Sequence, residues 1–343
     1  MGPLTFRALR LLADGRFHSG AQVARTLQRS RAALSETLKG AESLGIEVFS
    51  VPGKGYRLAE PVEFLDAHAI VSRLGPAAAR VRLTILDAVD STSTHLTALA
   101  QAGAPSGACV VAEWQKAGRG RRGRDWQAGL GASLTFSLLW RFEQGPGHLA
   151  GLSLAVAVAA ARALERAGVR GVGVKWPNDL VHDWKKLGGI LVETSGEMLG
   201  PTAAVVGVGI NYRLGEALAR RIDQPATDVA SLGGPLPSRN ALLADLVAEL
   251  VAALERFGRE GFAAFRDEWK ARHAYAGRTV TVLAGGEPPH EAQVIDVAED
   301  GALVVEAGGR RSRLTSAEIS LRPALTSFPH RYPSSPSTPA TRA

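Results

Sequence analysis

Between residues 4 and 44 apolar side chains recur every three or four positions, the spacing of one helical face. Phe6, Leu9 and Leu12 mark a helix over 4–13, stopped by Gly15. Ser19 is placed to cap a second helix over 20–27. Ser30 is placed to cap a third over 31–44, striped by Ala33, Leu34, Leu38, Ala41 and Leu44. The period then changes. Residues 46–51 alternate, Pro52-Gly53-Lys54-Gly55 is a turn, and Tyr56-Arg57-Leu58 returns. Three helices followed by a hairpin is the plan of a winged helix-turn-helix.

Past residue 62 the pattern becomes mixed. Strand-like runs fall at 83–86, 110–113, 134–140, 172–175, 190–193 and 203–209. Helical stripes cover 96–102, 148–167 and 240–257, and Phe262, Phe265 and Trp269 mark one more. Residues 213–237 read as loop. Four alternating segments follow at 278–283, 291–297, 302–306 and 311–314, punctuated by Gly285-Gly286, Asp300-Gly301 and Gly308-Gly309. From Pro323 onward Pro, Ser and Thr dominate, which predicts a disordered tail. There are no internal repeats. The expected fold class is α+β, with a DNA-binding unit over 1–62, a mixed α/β body over 63–275, a small β-barrel over 276–323 and a tail over 324–343.

Charge and cysteine content narrow the setting. The formal net charge of +7 suits polyanionic partners. Over residues 1–60, nine Lys/Arg against five Asp/Glu leave +4. A lone cysteine, Cys109, rules out an internal disulfide and fits a reducing cytoplasm. Cys109 reads as a small buried apolar residue. No signal peptide is visible, and the apolar run 149–163 is short for a bilayer span, so no membrane partner is expected.

Chemistry concentrates in a few places. Between Lys116 and Arg124 lie five cationic side chains and three glycines, with no acid among them. Glycine lets the backbone approach a ligand, and arginine offers paired donors to phosphate or carboxylate. The run reads as a loop over a polyanion such as a nucleoside triphosphate, as a nucleic-acid contact, or as a solvated surface loop. The hydroxyl run Ser91-Thr92-Ser93-Thr94 exceeds what capping one helix requires. Pro177 presents Asn178 and Asp179 in a turn, as a nucleotide site or a plain Asx-turn. Lys185-Lys186 precedes Gly188-Gly189, as a placed charge or a solvated pair. On the N-terminal unit, Ser30 and Arg31 open the third helix and Lys54 and Arg57 sit on the wing, where bases and phosphates would be met. Glu36 on the third helix would repel phosphate unless paired.

Three motifs in order carry a resemblance: Gly118-Arg119-Gly120-Arg121-Arg122-Gly123-Arg124, Lys175-Trp176-Pro177-Asn178-Asp179, and Lys186-Leu187-Gly188-Gly189-Ile190-Leu191-Val192-Glu193. With Ser30-Arg31-Ala32-Ala33 and Val51-Pro52-Gly53-Lys54-Gly55-Tyr56, the chain over 4–323 resembles the bifunctional biotin–protein ligase and biotin operon repressor family. The resemblance implies a catalytic domain of the biotin/lipoate ligase type and a C-terminal SH3-like β-barrel. It implies biotin and ATP as substrates, with Mg2+, and the biotin carboxyl carrier protein and operator DNA as partners. It also implies a homodimer in the adenylate-bound state. By the same implication Arg121 and Lys186 are catalytic. Ser91, Thr92, Ser93, Gln115, Arg119 and Gly120, with Arg121 and Lys186, hold biotin, and Asn178, Asp179 and Asn211 serve the nucleotide end. No metal ligand is assigned. Ser93 stands where the family more often has Asn, and Asp125 where it often has a basic or neutral residue. The competing reading is a ligand-sensing DNA-binding regulator with little ligase activity.

Overall fold

The protein's computed structural model describes residues 2–198, 200–284, 288–315 and 319–323. The Gly285-Gly286 turn and the tail over 324–343 lie outside the described residues. The chain divides into two units, Met1–Ala274 with Glu299–Gly301, and Tyr275–Ala298 with Ala302–Ala343.

The first unit opens with α1 (Pro3–Leu11), α2 (Gly20–Thr26) and α3 (Arg31–Lys39). A 3-10 turn over Gly40–Leu44 ends the third helix earlier than its apolar stripe suggests. Ser30 caps α3 by accepting from Ala33 N–H at 3.1 Å, whereas the side chain of Ser19 makes no cap bond to α2. Strands β1 (Val48–Val51) and β2 (Gly55–Leu58) form the hairpin. Phe6, Leu9, Leu12, Val23, Leu34, Leu38 and Leu58 make one buried core, which also takes in Leu130 from the body. Burying each such side chain contributes about 1.5–3 kcal/mol.

The body follows in order: α4 (Ala67–Arg73), β3 (Arg82–Val89), α5 (Thr92–Gln101), β4 (Ala108–Gln115), β5 (Gly118–Arg119), β6 (Asp125–Trp126) and β7 (Ser133–Phe142). Then come α6 (Leu152–Arg166), β8 (Gly173–Lys175), β9 (Asp179–His182), β10 (Lys185–Gly196), β11 (Thr202–Asn211), α7 (Glu216–Ala219), α8 (Arg239–Glu260) and α9 (Ala263–Arg272). Seven strands form one mixed sheet in the order β3-β4-β7-β11-β10-β9-β8. Only β3 and β4 run parallel. Every residue of β11 is buried, so both sides of the sheet centre are covered. The segment Pro146–Arg166 that contains α6 is apolar enough to pass for a membrane span by composition, yet it is mostly buried, with α6 packed against α8 and α9.

Two sequence readings shift here. The helix expected over 148–167 is broken at Gly151, which is left-handed (φ 79°) and whose added Cβ would lie 2.7 Å from Phe262. The segment 213–237 contains α7 and a 3-10 turn over Val229–Leu232 capped by Asp228.

In the second unit, β12 (Thr279–Ala284), β13 (His290–Val297), β14 (Leu303–Ala307), β15 (Arg310–Leu314) and β16 (Ile319–Pro323) pair antiparallel in the order β15-β14-β13-β12-β16. Val280, Val282, Val294, Leu303 and Val305 are buried within it.

Candidate active site

Strand β4 runs straight into the basic stretch, which folds back on itself. β5 and β6 pair Gly118 with Trp126 and Arg119 with Asp125 as a short stem. The tip turns through Arg122 and Gly123, both left-handed (φ 60° and 70°). Gly120 N–H closes it by donating to the Arg124 carbonyl at 2.7 Å. The loop's arginines diverge. Arg119 leaves for an ion pair with Glu193 on β10 and donates to Thr94 Oγ1 at 3.2 Å. Its guanidinium is therefore already matched by a carboxylate. Arg121 turns inward and donates to Asn178 Oδ1 at 3.3 Å. Burial lowers the pKa of its guanidinium and Asp179 works against that shift; the group stays a cation at neutral pH.

The second segment meets Arg121 there. A cis Trp176–Pro177 bond joins β8 to the turn before β9. Trp176 Nε1–H donates to the Gly301 carbonyl at 3.0 Å, and Ser153 Oγ–H to the Pro177 carbonyl at 3.1 Å, so the turn is fixed from two sides. Asn178 Nδ2–H holds the Ile190 carbonyl at 2.7 Å, leaving its Oδ1 toward Arg121. Asp179 Oδ1 lies 2.9 Å from Lys186 Nζ, and its Oδ2 lies 3.9 Å from Lys175 Nζ. Burial alone would raise the Asp179 pKa. Lys186 and Lys175, with Arg121, more than reverse this and hold it below the ordinary carboxylate value.

Lys186 is itself held. Its N–H donates to the Pro225 carbonyl at 2.8 Å, and its carbonyl accepts from Thr227 N–H at 2.9 Å. The same carbonyl accepts from Asn211 Nδ2 at 3.1 Å, and Asn211 also donates to the Thr227 carbonyl at 3.0 Å. The amide nitrogen of Asn211, expected at the nucleotide end, thus braces Lys186 from behind. Trp126 ties the loop stem to this strand. A Cβ on Gly209 would lie 2.6 Å from its indole and one on Gly189 3.4 Å, so the paired glycines form a slot for the ring. Lys186 Nζ stands 5.8 Å from the ring centroid.

Beside this lies a buried cluster of hydroxyls. Ser91 caps α5, accepting from Thr94 N–H at 3.4 Å, so the helix starts within the hydroxyl run instead of after it. Ser91, Thr92 and Ser93 are all buried, as is Gln115 at the end of β4. Gln115 Oε1 accepts from Thr92 N–H at 2.7 Å and from Thr92 Oγ1–H at 3.0 Å. Ser137 on β7, which the pattern did not single out, contacts both Thr92 and Ser93. Trp126 and Glu193 were likewise not assigned roles; an aromatic directly after a basic loop was the available signal for the first. Among the described residues there is no cluster of three His, Cys, Asp or Glu side chains able to hold a metal. Cys109 is buried, and burial pushes its thiol up to about 12, far from a nucleophile's range.

On the N-terminal unit, Ser30 Oγ is engaged in capping, and Arg31 beside it is exposed. Lys54 lies 5.8 Å and Arg57 5.3 Å from the Phe17 ring, and Arg57 also lies 4.8 Å from the Phe49 ring. Arg57 is half-buried between aromatics, whereas Lys54 is exposed. Glu36 is paired with Lys39 at 3.5 Å.

Residues 85–211 match the biotin/lipoate A/B protein ligase family, and residues 275–322 match the biotin protein ligase C terminal domain. The bifunctional ligase/repressor BirA of Escherichia coli is 39% identical over 320 residues, covering 93% of this chain and 97% of that protein. The biotin–[acetyl-CoA-carboxylase] ligase of Paracoccus denitrificans is 34% identical over 244 residues, covering 68% of this chain and 98% of that protein. Among solved structures, the biotin protein ligase of Aquifex aeolicus in complex with biotin and ATP superposes with a TM-score of 0.61 at 28% identity. It covers 71% of this chain and 99% of that one.

Proposed function

Because the chain belongs to the biotin/lipoate A/B protein ligase family, we propose that it activates biotin with ATP and transfers it to a lysine of the biotin carboxyl carrier protein. In the first step a biotin carboxylate oxygen attacks the α-phosphorus, the bond to the β-phosphate breaks, and pyrophosphate leaves. In the second the carrier lysine's amine attacks the acyl carbon. AMP departs with the bonding pair, and the nitrogen's proton goes to solvent.

The observation that carries this reading is the gathering of Lys175 and Lys186 on the carboxylate of Asp179, with Arg121 held by the adjacent Asn178 and acting on the same carboxylate through its charge. Three cations minus one anion leave a surplus of two positive charges where carboxylate and phosphate must approach. The first step brings two anions together, and fixed cations lower that repulsion and stabilise charge in the transition state. Lys186, with three donors, bridges the carboxylate and an α-phosphate oxygen. Arg121 stabilises the adenylate, and the loop over it slows hydrolysis by excluding water. Ser91, Thr92, Ser93 and Gln115 line the biotin pocket, with Arg119 and Gly120 contributing backbone. Asn178 and Asp179 fix the nucleotide end, and Asn211 acts through Lys186. Mg2+ arrives with ATP as part of that substrate.

The N-terminal unit is read as a winged helix-turn-helix that represses biotin genes by binding operator DNA as a homodimer when adenylate is present. Its +4 charge over residues 1–60 and the exposed Arg31 and Lys54 support this. Ser30 orients α3 by capping it. Arg57 supports the wing by stacking and reaches phosphate less directly than Lys54. The C-terminal unit is read as an SH3-like barrel. The test is pyrophosphate release from purified protein given MgATP, followed by biotin transfer to carrier protein. Release is expected with biotin and not with lipoate. Folded protein that releases none with biotin overturns the ligase reading and favours the ligand-sensing regulator.

A further inference from the structure

The hydrogen bonds around Ser137 have only one consistent direction. Gln115 Oε1 is a carbonyl oxygen and cannot donate, and its identity is fixed because Thr92 N–H points at it from 2.7 Å. The one hydroxyl hydrogen of Thr92 therefore goes to Gln115, at 3.0 Å. Thr92 Oγ1 has no hydrogen left for Ser137, so in that 2.9 Å contact Ser137 donates. Ser137 then has none left for Ser93, so in the 3.0 Å contact Ser93 donates. The chain runs Ser93 to Ser137 to Thr92 to Gln115. Ser137 is 0% exposed, and its cross-strand partner is Gly207, where a Cβ would lie 2.6 Å from Ser93 Oγ. The missing side chain makes the room that brings Ser93 onto Ser137.

We propose that Ser137 is a positioning residue that sets the donor–acceptor polarity of the biotin pocket. The inference rests on the ligase reading above and adds to it a residue that acts on the ligand only through Thr92 and Ser93. With every hydroxyl hydrogen of the chain in use, Ser93 Oγ offers a ligand only lone pairs. Gln115, with its oxygen occupied, offers only the N–H groups of Nε2. A ligand must donate at one end and accept at the other, which a cyclic urea does through its ring N–H and its carbonyl oxygen. Removing the Ser137 hydroxyl releases the Ser93 hydrogen to rotate and leaves Thr92 without its donor, so the polarity is no longer fixed.

The test is the kinetics of biotin-dependent pyrophosphate release in Ser137→Ala and Ser137→Thr. The alanine variant is expected to raise the KM for biotin about tenfold, with the KM for ATP and kcat within about twofold. The threonine variant keeps the hydroxyl, and is expected to return the biotin KM to within about threefold of the wild type. If the alanine variant does not fold, Ser137→Cys carries the test, since a thiol of similar size is a weak donor. Its biotin Kd by calorimetry should weaken about threefold or more. An unchanged biotin KM, an equal rise in both KM values, a folded threonine variant without recovery, or an unchanged cysteine Kd overturns the proposal. In each case active wild-type protein keeps the ligase reading standing. A wild type that releases no pyrophosphate removes both.

Discussion

Asp179 sits among three cations, and its ionisation organises them before any substrate arrives. Its folded pKa lies below the ordinary 3.8, so whatever stability it contributes is present above that value and is lost as pH falls through the folded one. His273 has a different effect. It lies 4.4 Å from the Trp269 ring, and burial lowers its pKa from 6.5 to about 4. Below pH 6.5 the unfolded chain takes up a proton that the folded protein refuses. Stability is therefore full above 6.5 and falls until about pH 4, by about 3 kcal/mol at most. His273→Gln is expected to flatten that part of a plot of denaturation midpoint against pH. An unchanged slope between 6.5 and 4 would contradict the assignment. The charged residues of the site were legible in the sequence because their motifs are contiguous. Ser137 was not, because two hydroxyls, Thr135 and Ser137, in the otherwise apolar run Leu134 to Trp140 give no sign of what their face meets until β4, β7 and α5 are assembled.

At the scale of elements, the basic loop is a hairpin whose stem is clasped by the Arg119–Glu193 ion pair and seated by Trp126 on the glycine slot of β10 and β11. A half-exposed ion pair contributes about 0.2–1 kcal/mol, so its effect is modest. Glu193→Gln is expected to shorten the lifetime of the enzyme-bound adenylate two- to fivefold, measured by quench in the absence of carrier protein, while initial adenylate formation changes little. An unaltered lifetime would show that the clasp does not restrain the loop. Most element types followed from the pattern, since β4, β7 and β11 are near-continuous apolar runs and α8 carries a long helical stripe. The boundaries followed less well. Helix α3 yields to a 3-10 turn at Gly40, and the helical stripe before α6 is cut at Gly151 because Phe262 occupies the space a side chain would need. The Phe262 contact lies more than a hundred residues away in sequence, so no local pattern announces it. Strand β16 falls inside the 276–323 unit but was not read as a strand, because a five-residue edge strand beside prolines has too few alternations to stand out.

Within the first unit, the N-terminal helices and hairpin are joined to the body by specific contacts. Leu130 N–H donates to the Leu44 carbonyl at 3.1 Å, Arg10 pairs with Asp87 at 2.6 Å, and Arg213 with Glu60 at 2.8 Å. A buried pair, Arg239 with Glu113 at 3.0 Å, holds the connecting residues, with Glu113 accepting from Leu65 N–H at 2.6 Å. A cleft of about 840 Å3 is lined by Ile46 and Glu47 of the N-terminal unit and by Asp125 and Trp126 of the loop stem, so the stem faces the N-terminal helices and hairpin. If Lys54 meets a phosphate, Lys54→Ala should reduce the steepness of log operator affinity against log salt by about 0.9 per protomer, with sequence preference retained. An unchanged slope would take Lys54 off the DNA. The account as a whole rests on cations from two distant segments acting on one activated carboxyl group. The most direct measurement is biotin-dependent pyrophosphate release by a variant carrying both Arg121→Ala and Lys186→Ala, compared with wild type at matched thermal stability. Loss of a single such donor costs about 10²–10³ in rate, so the double variant should fall by at least that factor with its fold intact. Turnover within a few-fold of wild type would contradict the account.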